Sequence, residues 1–377
     1  MTPSPTFDPR RLTLARWSAG VTKRELAERS DLSPTSITQY EAGRTMPPPA
    51  TLARLALALG MPVAYFERSP GRRRPDPAAR SFFRSLRTTP QRDRDRADAL
   101  AEHLFDLADY LHQRVTLPDL DVPRITPETG SSEEIEDIAR AVRDHWRLPA
   151  GPVAHVVRSL EANGVIVARL DSGSSRLDAF SRWFGDQALV LLWAEKGDKA
   201  RSRFDAAHEL GHLVMHSDPD PLDRDQERQA NMFASAFLMP AGEILPFLPT
   251  KAPRPSSWDE VLEHRRHWGV SAKALLFRAR ELGTLSDAAY RRSMISYNQA
   301  GLSSKDGLAL GEPEQPLMLR RAVVALAADE DPTQLAADVL VPASIVRDIV
   351  GAPTALRSDA DAVTRLRPVP EQSTGEG

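Results

Sequence analysis

Apolar residues recur every three to four positions along most of the chain, the spacing of helices with one buried face. Near the N-terminus, Leu12, Leu14, Ala15 and Trp17 mark one such face, and Leu52, Leu55, Ala56 and Leu59 mark another. Between them, Thr22 and Glu25 form a capping box that opens a helix carrying Leu26 and Ala27 and ending near Ser30. Ser33 caps the next helix with Pro34 at its first position; Ile37 faces inward there, and Thr35, Ser36, Thr38 and Gln39 face outward. Two short helices joined by a three-residue turn predict a helix-turn-helix. Farther on, residues 81–86 (SFFRSL) begin a mostly helical connector, continued by Ala97, Leu100, Leu104, Leu107, Ala108 and Leu111. Helices are expected over 133–148 and 153–163. Strands are expected over 164–170, where Val165, Ile166 and Val167 are β-branched, and over 178–184 and 187–193, with Asp186 marking a tight hairpin between the last two.

Two further helical patterns follow. Phe204, Ala207, Leu210, Leu213, Val214 and Met215 give an apolar body with no proline from 201 to 217. Residues 224–240 carry a stripe through Ala230, Phe233, Ala234, Phe237 and Leu238. Beyond Pro253 the chain reads as helical: Ser271 caps a helix that Gly283 closes, 312–316 is a break, and helices are expected over 317–328 and 331–350, the last interrupted at Pro342. Leu335, Ala336, Ile345 and Ile349 give this end a faint second helix-turn-helix pattern; the alternative is an ordinary helical subdomain packed on the rest. The whole predicts a mainly α protein with a small β-sheet, an α+β class. Its divisions are a helix-turn-helix domain over 1–68, a basic linker (69–79) and helical connector to 130, an α+β domain over 131–250, a helical subdomain over 251–356, and a disordered tail over 357–377.

Charge changes the picture of the N-terminal end. Residues 1–68 hold nine Lys/Arg against six Asp/Glu, and 69–96 hold nine Arg against three Asp; a chain of net charge −3 therefore carries +9 in its first 96 residues and −12 in the rest. A basic end of this kind favours phosphate binding, and duplex DNA is the expected partner. The chain has no cysteine, which excludes disulfides, thiolate metal ligands and a cysteine nucleophile. With no signal peptide pattern and no apolar run of membrane-spanning length, the expected location is cytoplasmic.

The sharpest chemistry is His208-Glu209-Leu210-Gly211-His212. On a helix the two imidazoles stand one turn apart on one face and can both reach one zinc ion, with Glu209 between them beside any water on that zinc. The implied chemistry is metal-assisted peptide hydrolysis. A third ligand is needed. Glu227 falls on the buried edge of the following helix, where a carboxylate needs a partner and a cation such as zinc is a good one; the alternatives are a first-turn Glu favoured by the helix dipole or a solvated charge, and Asp223 and Asp225 are earlier, more polar rivals. His216, one turn past His212, is either an outer partner of the site or a cation that ends the helix favourably.

The runs RSRFDAAHELGHLVMH (201–216) and ERQANMFASAFLMP (227–240) resemble the ImmA/IrrE family of zinc metallo-endopeptidases. The resemblance extends to Leu177-Asp178-Ala179-Phe180-Ser181 and Trp268-Gly269-Val270-Ser271, covering about 150–300. It implies a zincin-like α+β domain, zinc held by His208, His212 and Glu227, Glu209 as general base, and repressor-type regulators as substrates. Many members carry Glu where this chain has Gln229, a position not expected to hold the metal. Residues 12–66, with Glu25-Leu26-Ala27, Ser33, Tyr40-Glu41-x-Gly43 and Pro47, resemble the Xre/lambda-repressor class of five-helix DNA-binding domains. By that analogy the helix from Pro34 enters the major groove of duplex DNA as part of a homodimer. Gln39 is then placed for adenine, Thr35, Ser36 or Thr38 for bases or phosphates, and Lys23 and Arg44 for phosphates.

Two function classes follow. In one, a DNA-bound regulator carries a working zinc endopeptidase that cleaves a helix-turn-helix repressor, with self-cleavage in the 69–79 linker as a variant. In the other, the metal domain is a non-catalytic sensor or interaction module of a transcription factor. The edge of the sheet, strand 178–184 or strand 187–193, is the expected seat for an extended substrate peptide.

Overall fold

The computed structural model describes residues 7–67, 82–83, 90–170, 179–193, 198–216, 223–302, 310–326 and 332–350. The linker 69–79 and the tail 357–377 lie outside the described residues.

The N-terminal head is α1 (Pro9–Ser18), α2 (Lys23–Ser30), α3 (Pro34–Glu41), α4 (Pro49–Leu59) and a closing 3-10 turn, Val63–Phe66. The capping box at Thr22 has both of its bonds: Glu25 N–H donates to Thr22 Oγ1 at 3.1 Å, and Thr22 N–H donates to the Glu25 carboxylate at 2.6 Å. Ser33 accepts from Ser36 N–H at 3.0 Å at the head of α3. Leu12, Leu26, Ile37, Leu55 and Phe66 are fully buried at the centre of this unit.

β1 is a two-residue segment, Phe82–Phe83, where a connector helix was expected to begin; its backbone pairs antiparallel with the sheet instead. The connector helix proper is α5 (Gln91–His112). Next come α6 (Ser132–His145), α7 (Val156–Ala162), β2 (Ile166–Leu170), β3 (Phe180–Phe184), β4 (Gln187–Trp193), α8 (Lys199–Met215) and α9 (Arg224–Leu238). β2 runs parallel to β4, and β3 pairs antiparallel with β4 through a turn at Gly185 and Asp186, with Gly185 at φ +62°. The strand order β1-β3-β4-β2 leaves β1 and β2 at the edges, so neither strand expected at the edge, 178–184 or 187–193, lies there. β3 is the outer strand of the three longer ones, and β1 lies against it.

The sheet divides the main body into two cores because its side chains alternate. Val165, Val167, Ala188, Val190 and Leu192 face α6–α9. Ile166, Ala168, Phe180, Phe184, Leu189 and Leu191 face α5 and the C-terminal helices. Those helices follow α10 (Ala241–Ile244), α11 (Asp259–Trp268), α12 (Ala272–Glu281) and α13 (Asp287–Gln299); they are α14 (Met318–Leu326), α15 (Pro332–Val339) and α16 (Ala343–Val350). The α15–α16 pair repeats the spacing of α2–α3, down to a left-handed first turn residue, Leu340 at φ +60° against Asp31 at φ +53°. Yet Ile345 and Val346 of α16 are buried in the core beside β2.

Buried carboxylates anchor this end. Glu161 of α7 accepts from the N–H groups of Leu317 and Met318 at the start of α14, at 2.8–3.0 Å. Glu314 is bonded to Arg203 of α8 and to Val157 N–H of α7. The head docks on α5: Arg10 pairs with Glu102, Arg11 with Asp106 at 2.7 Å, and the Tyr65 hydroxyl meets His103 Nε2 at 2.7 Å.

Candidate metal centre and DNA-facing surface

α8 starts at Asp198, whose side chain accepts from Ala200 N–H at 3.3 Å, and is buried along most of its length. One turn apart on it, His208 and His212 bring their Nε2 atoms to 3.0 Å. α9 starts at Asp223, which caps the helix by accepting from Asp225 N–H at 2.8 Å and Gln226 N–H at 3.4 Å. One turn in, Glu227 places Oε1 3.3 Å from His212 Nε2 and Oε2 3.6 Å from His208 Nε2. Gly211 allows the two helices this approach: a Cβ there would lie 3.0–3.2 Å from the Phe233 ring of α9.

The three side chains fit a zinc ion. Tetrahedral ligands at about 2.0–2.1 Å from zinc stand ~3.3 Å from one another, and the three separations here bracket that value. Among the described residues, His208, His212 and Glu227 form the metal-competent group. The rival acids are otherwise engaged, Asp223 in capping and Asp225 with Arg228 at 3.3 Å. Both imidazoles are buried, whereas the Glu227 side chain is 26% exposed, so the cluster opens to solvent on the α9 side.

Glu209 is fully buried beside the pair. Ser181 Oγ of β3 donates to its Oε2 at 2.7 Å. Strand alternation explains the pairing. Ser181 faces α8, while the next residue, Arg182, faces α5, 3.5 Å from Asp98 and 3.9 Å from Glu102. Trp183 faces α8 again and donates from Nε1 to Leu213 O at 3.3 Å. β3 is thus tied to α8 at Glu209 and again one turn later at Leu213.

His216 caps the C-terminal end of α8. Its Nδ1 is 3.0 Å from His212 Nδ1, and its Nε2 is 2.9 Å from Gln229 Oε1. Burial, and then the neighbouring His212, push its pKa down to about 4. It is therefore neutral near pH 7, and the reading of His216 as a helix-ending cation is corrected.

On the head, Thr35, Thr38, Gln39 and Arg44 are exposed and Ser36 is half-buried, on a surface formed by α3 and the turn after it. Some of these groups already have local partners. Thr38 Oγ1 donates to Pro34 O at 3.0 Å, and the Ser36 and Ser33 hydroxyls lie 2.9 Å apart. Lys23 Nζ is 3.3 Å from Glu41, which also binds Arg16 at 2.5 Å.

Sequence reasoning did not assign roles to Ser181, Gln229 or Gly211. Ser181 was detectable as a small polar residue on the same strand face as Trp183 in a buried strand. Gln229 and Gly211 act through contacts between helices, which helical spacing alone does not register.

Residues 160–280 match the family model described as the IrrE N-terminal-like domain, a peptidase family. Residues 14–66 match the helix-turn-helix family model. Comparison with curated proteins returns no match. The chain is thus similar over these two stretches to a helix-turn-helix module and to a peptidase-family module. Among the described residues, no helix is long and apolar enough to cross a membrane.

Proposed function

We propose that this chain is a DNA-binding regulator whose second module is a working zinc endopeptidase, and that its substrate is a helix-turn-helix repressor. The observation that carries the reading is a fully buried Glu209, oriented by Ser181, directly beside a His208–His212–Glu227 cluster of zinc-compatible dimensions.

His208, His212 and Glu227 would hold the ion. When bound, zinc supplies Lewis-acid polarisation of a carbonyl and acidification of water. Glu209 is not a ligand in this arrangement; its role is to take the proton of the attacking water and deliver it to the leaving amine. Ser181 restrains the carboxylate in place for that exchange.

The head supports DNA binding through α3. Its docking on α5 through α1 and Tyr65 leaves the outward residues of α3 exposed, which is compatible with both modules acting at once. A homodimer on a palindromic site and a cytoplasmic location belong to this same reading.

The test is to incubate zinc-loaded full-length protein with purified helix-turn-helix repressors encoded beside it and to follow both by mass spectrometry. Cleavage of a repressor at a defined bond is the expected result. Intact partners under all conditions, together with retained DNA binding, would favour the sensor alternative.

A further inference from the structure

We propose that His216 and Gln229 are positioning residues for the metal centre. Together they hold His212 in the tautomer that turns its Nε2 lone pair toward His208 and Glu227. The inference rests on the zinc-binding part of the reading above but not on catalysis.

Donor and acceptor accounting carries it. The bond between His212 Nδ1 and His216 Nδ1, 3.0 Å long, holds one proton, so one ring donates and the other accepts. The remaining nitrogen of His216, Nε2, lies 2.9 Å from Gln229 Oε1, an amide oxygen that can only accept. His216 therefore keeps its proton on Nε2 and accepts at Nδ1. The proton between the rings then belongs to His212 Nδ1, and His212 Nε2 is left bare where the three ligand atoms converge. The opposite order would put a proton on His212 Nε2, 3.0 Å from His208 Nε2 and in the space a metal needs.

Packing keeps the chain of bonds in place. His216 is fixed at the end of α8, its N–H donating to His212 O at 3.0 Å. Gln229 is wedged against the backbone of Gly130, where a Cβ would come within 2.3 Å of its amide nitrogen. The relay also runs from α8 to α9, the same two helices that supply the ligands. His212 thus links them twice, through Nε2 at the ligand cluster and through Nδ1 by way of His216.

The test is zinc affinity of the full-length protein, measured at one pH by competition with a chromophoric chelator. Gln229→Met keeps the length and bulk of the side chain but removes the acceptor; Gln229→Glu keeps an acceptor. His216→Phe removes the relay. Gln229→Met and His216→Phe are expected to weaken zinc binding by about 10–100-fold, whereas Gln229→Glu binds as tightly as the wild type or more so. Circular dichroism of the metal-free proteins checks folding, and if His216→Phe does not fold the Gln229 pair decides alone. Wild-type affinity in Gln229→Met overturns the proposal, as does an equal loss in Gln229→Met and Gln229→Glu, which would indicate packing alone. A wild-type protein without zinc affinity overturns the metal reading itself, and with it this inference; zinc affinity unchanged in every variant overturns only the inference.

Discussion

Ser181 and Glu209 meet across the boundary between sheet and helix: the hydroxyl of a buried strand residue donates to the carboxylate of a buried helix residue at 2.7 Å. Hydrogen bonds to charged groups contribute about 1.5–3 kcal/mol. Ser181→Ala is therefore expected to lower kcat for peptide cleavage by roughly 10–100-fold with little change in KM. Ser181→Thr, which keeps the hydroxyl, is expected to recover part of the loss. Zinc content should be unchanged in both, as read by elemental analysis; loss of zinc in Ser181→Ala would show that the serine supports the ligands rather than Glu209.

Gly211 carries a second prediction. Alanine is the better helix former by about 1 kcal/mol, so an open site would gain stability from Gly211→Ala. Here the new methyl meets Phe233 at 3.0–3.2 Å, and overpacking of this kind costs about 1–3 kcal/mol. The variant is expected to melt at a lower temperature and to bind zinc more weakly, because α9 carries Glu227 away with it. A higher melting temperature with unchanged zinc affinity would mean the helices have room to spare.

The anchor at Glu161 gives stability a pH dependence. Burial pushes this carboxyl up from its ordinary 4.5 to about 7, against the donors of Leu317 and Met318 that favour the charged form. With the folded pKa above the unfolded one, the folded state holds the extra proton. The stabilisation is fully present below about pH 4.5, falls as pH rises toward 7, and levels off above that. Glu161→Gln should flatten the melting temperature against pH between 4.5 and 7 relative to the wild type. Parallel curves for the two proteins would contradict this.

For the head, Gln39→Ala is expected to relax sequence preference by about 1–3 kcal/mol at one base pair. Arg44→Ala is expected to weaken binding to every duplex alike and to reduce the salt slope by about 1. Lys23, already held by Glu41, should matter less to DNA than Arg44 does. Fluorescence anisotropy with promoter and random duplexes at several salt concentrations separates these effects.

Much of this was legible in the sequence because it is local. Caps at Thr22, Ser33 and Ser271 fix helix starts within a few residues, and one helical turn brings His208 and His212 onto one face. Glu227 was singled out by its place on the apolar edge of its helix, and the fold brings it beside His208 and His212. Long-range packing was less so. Nothing periodic indicates that residues 82–83 leave the connector to pair with β3, or that α15–α16, spaced like α2–α3, lies in the core beside β2. The bonds from Ser181 to Glu209 and from His216 to Gln229 join residues 28 and 13 positions apart. They depend on how β3, α8 and α9 stack.

The central claim is that Glu209 performs chemistry while His208, His212 and Glu227 hold the metal. Glu209→Gln tests it in one paired measurement: zinc content by elemental analysis and repressor cleavage by mass spectrometry, on the same preparation and beside His208→Ala. The account predicts zinc retained and cleavage lost in Glu209→Gln, with zinc itself lost in His208→Ala. Cleavage that persists in Glu209→Gln, or zinc that stays fully bound in His208→Ala, would contradict it.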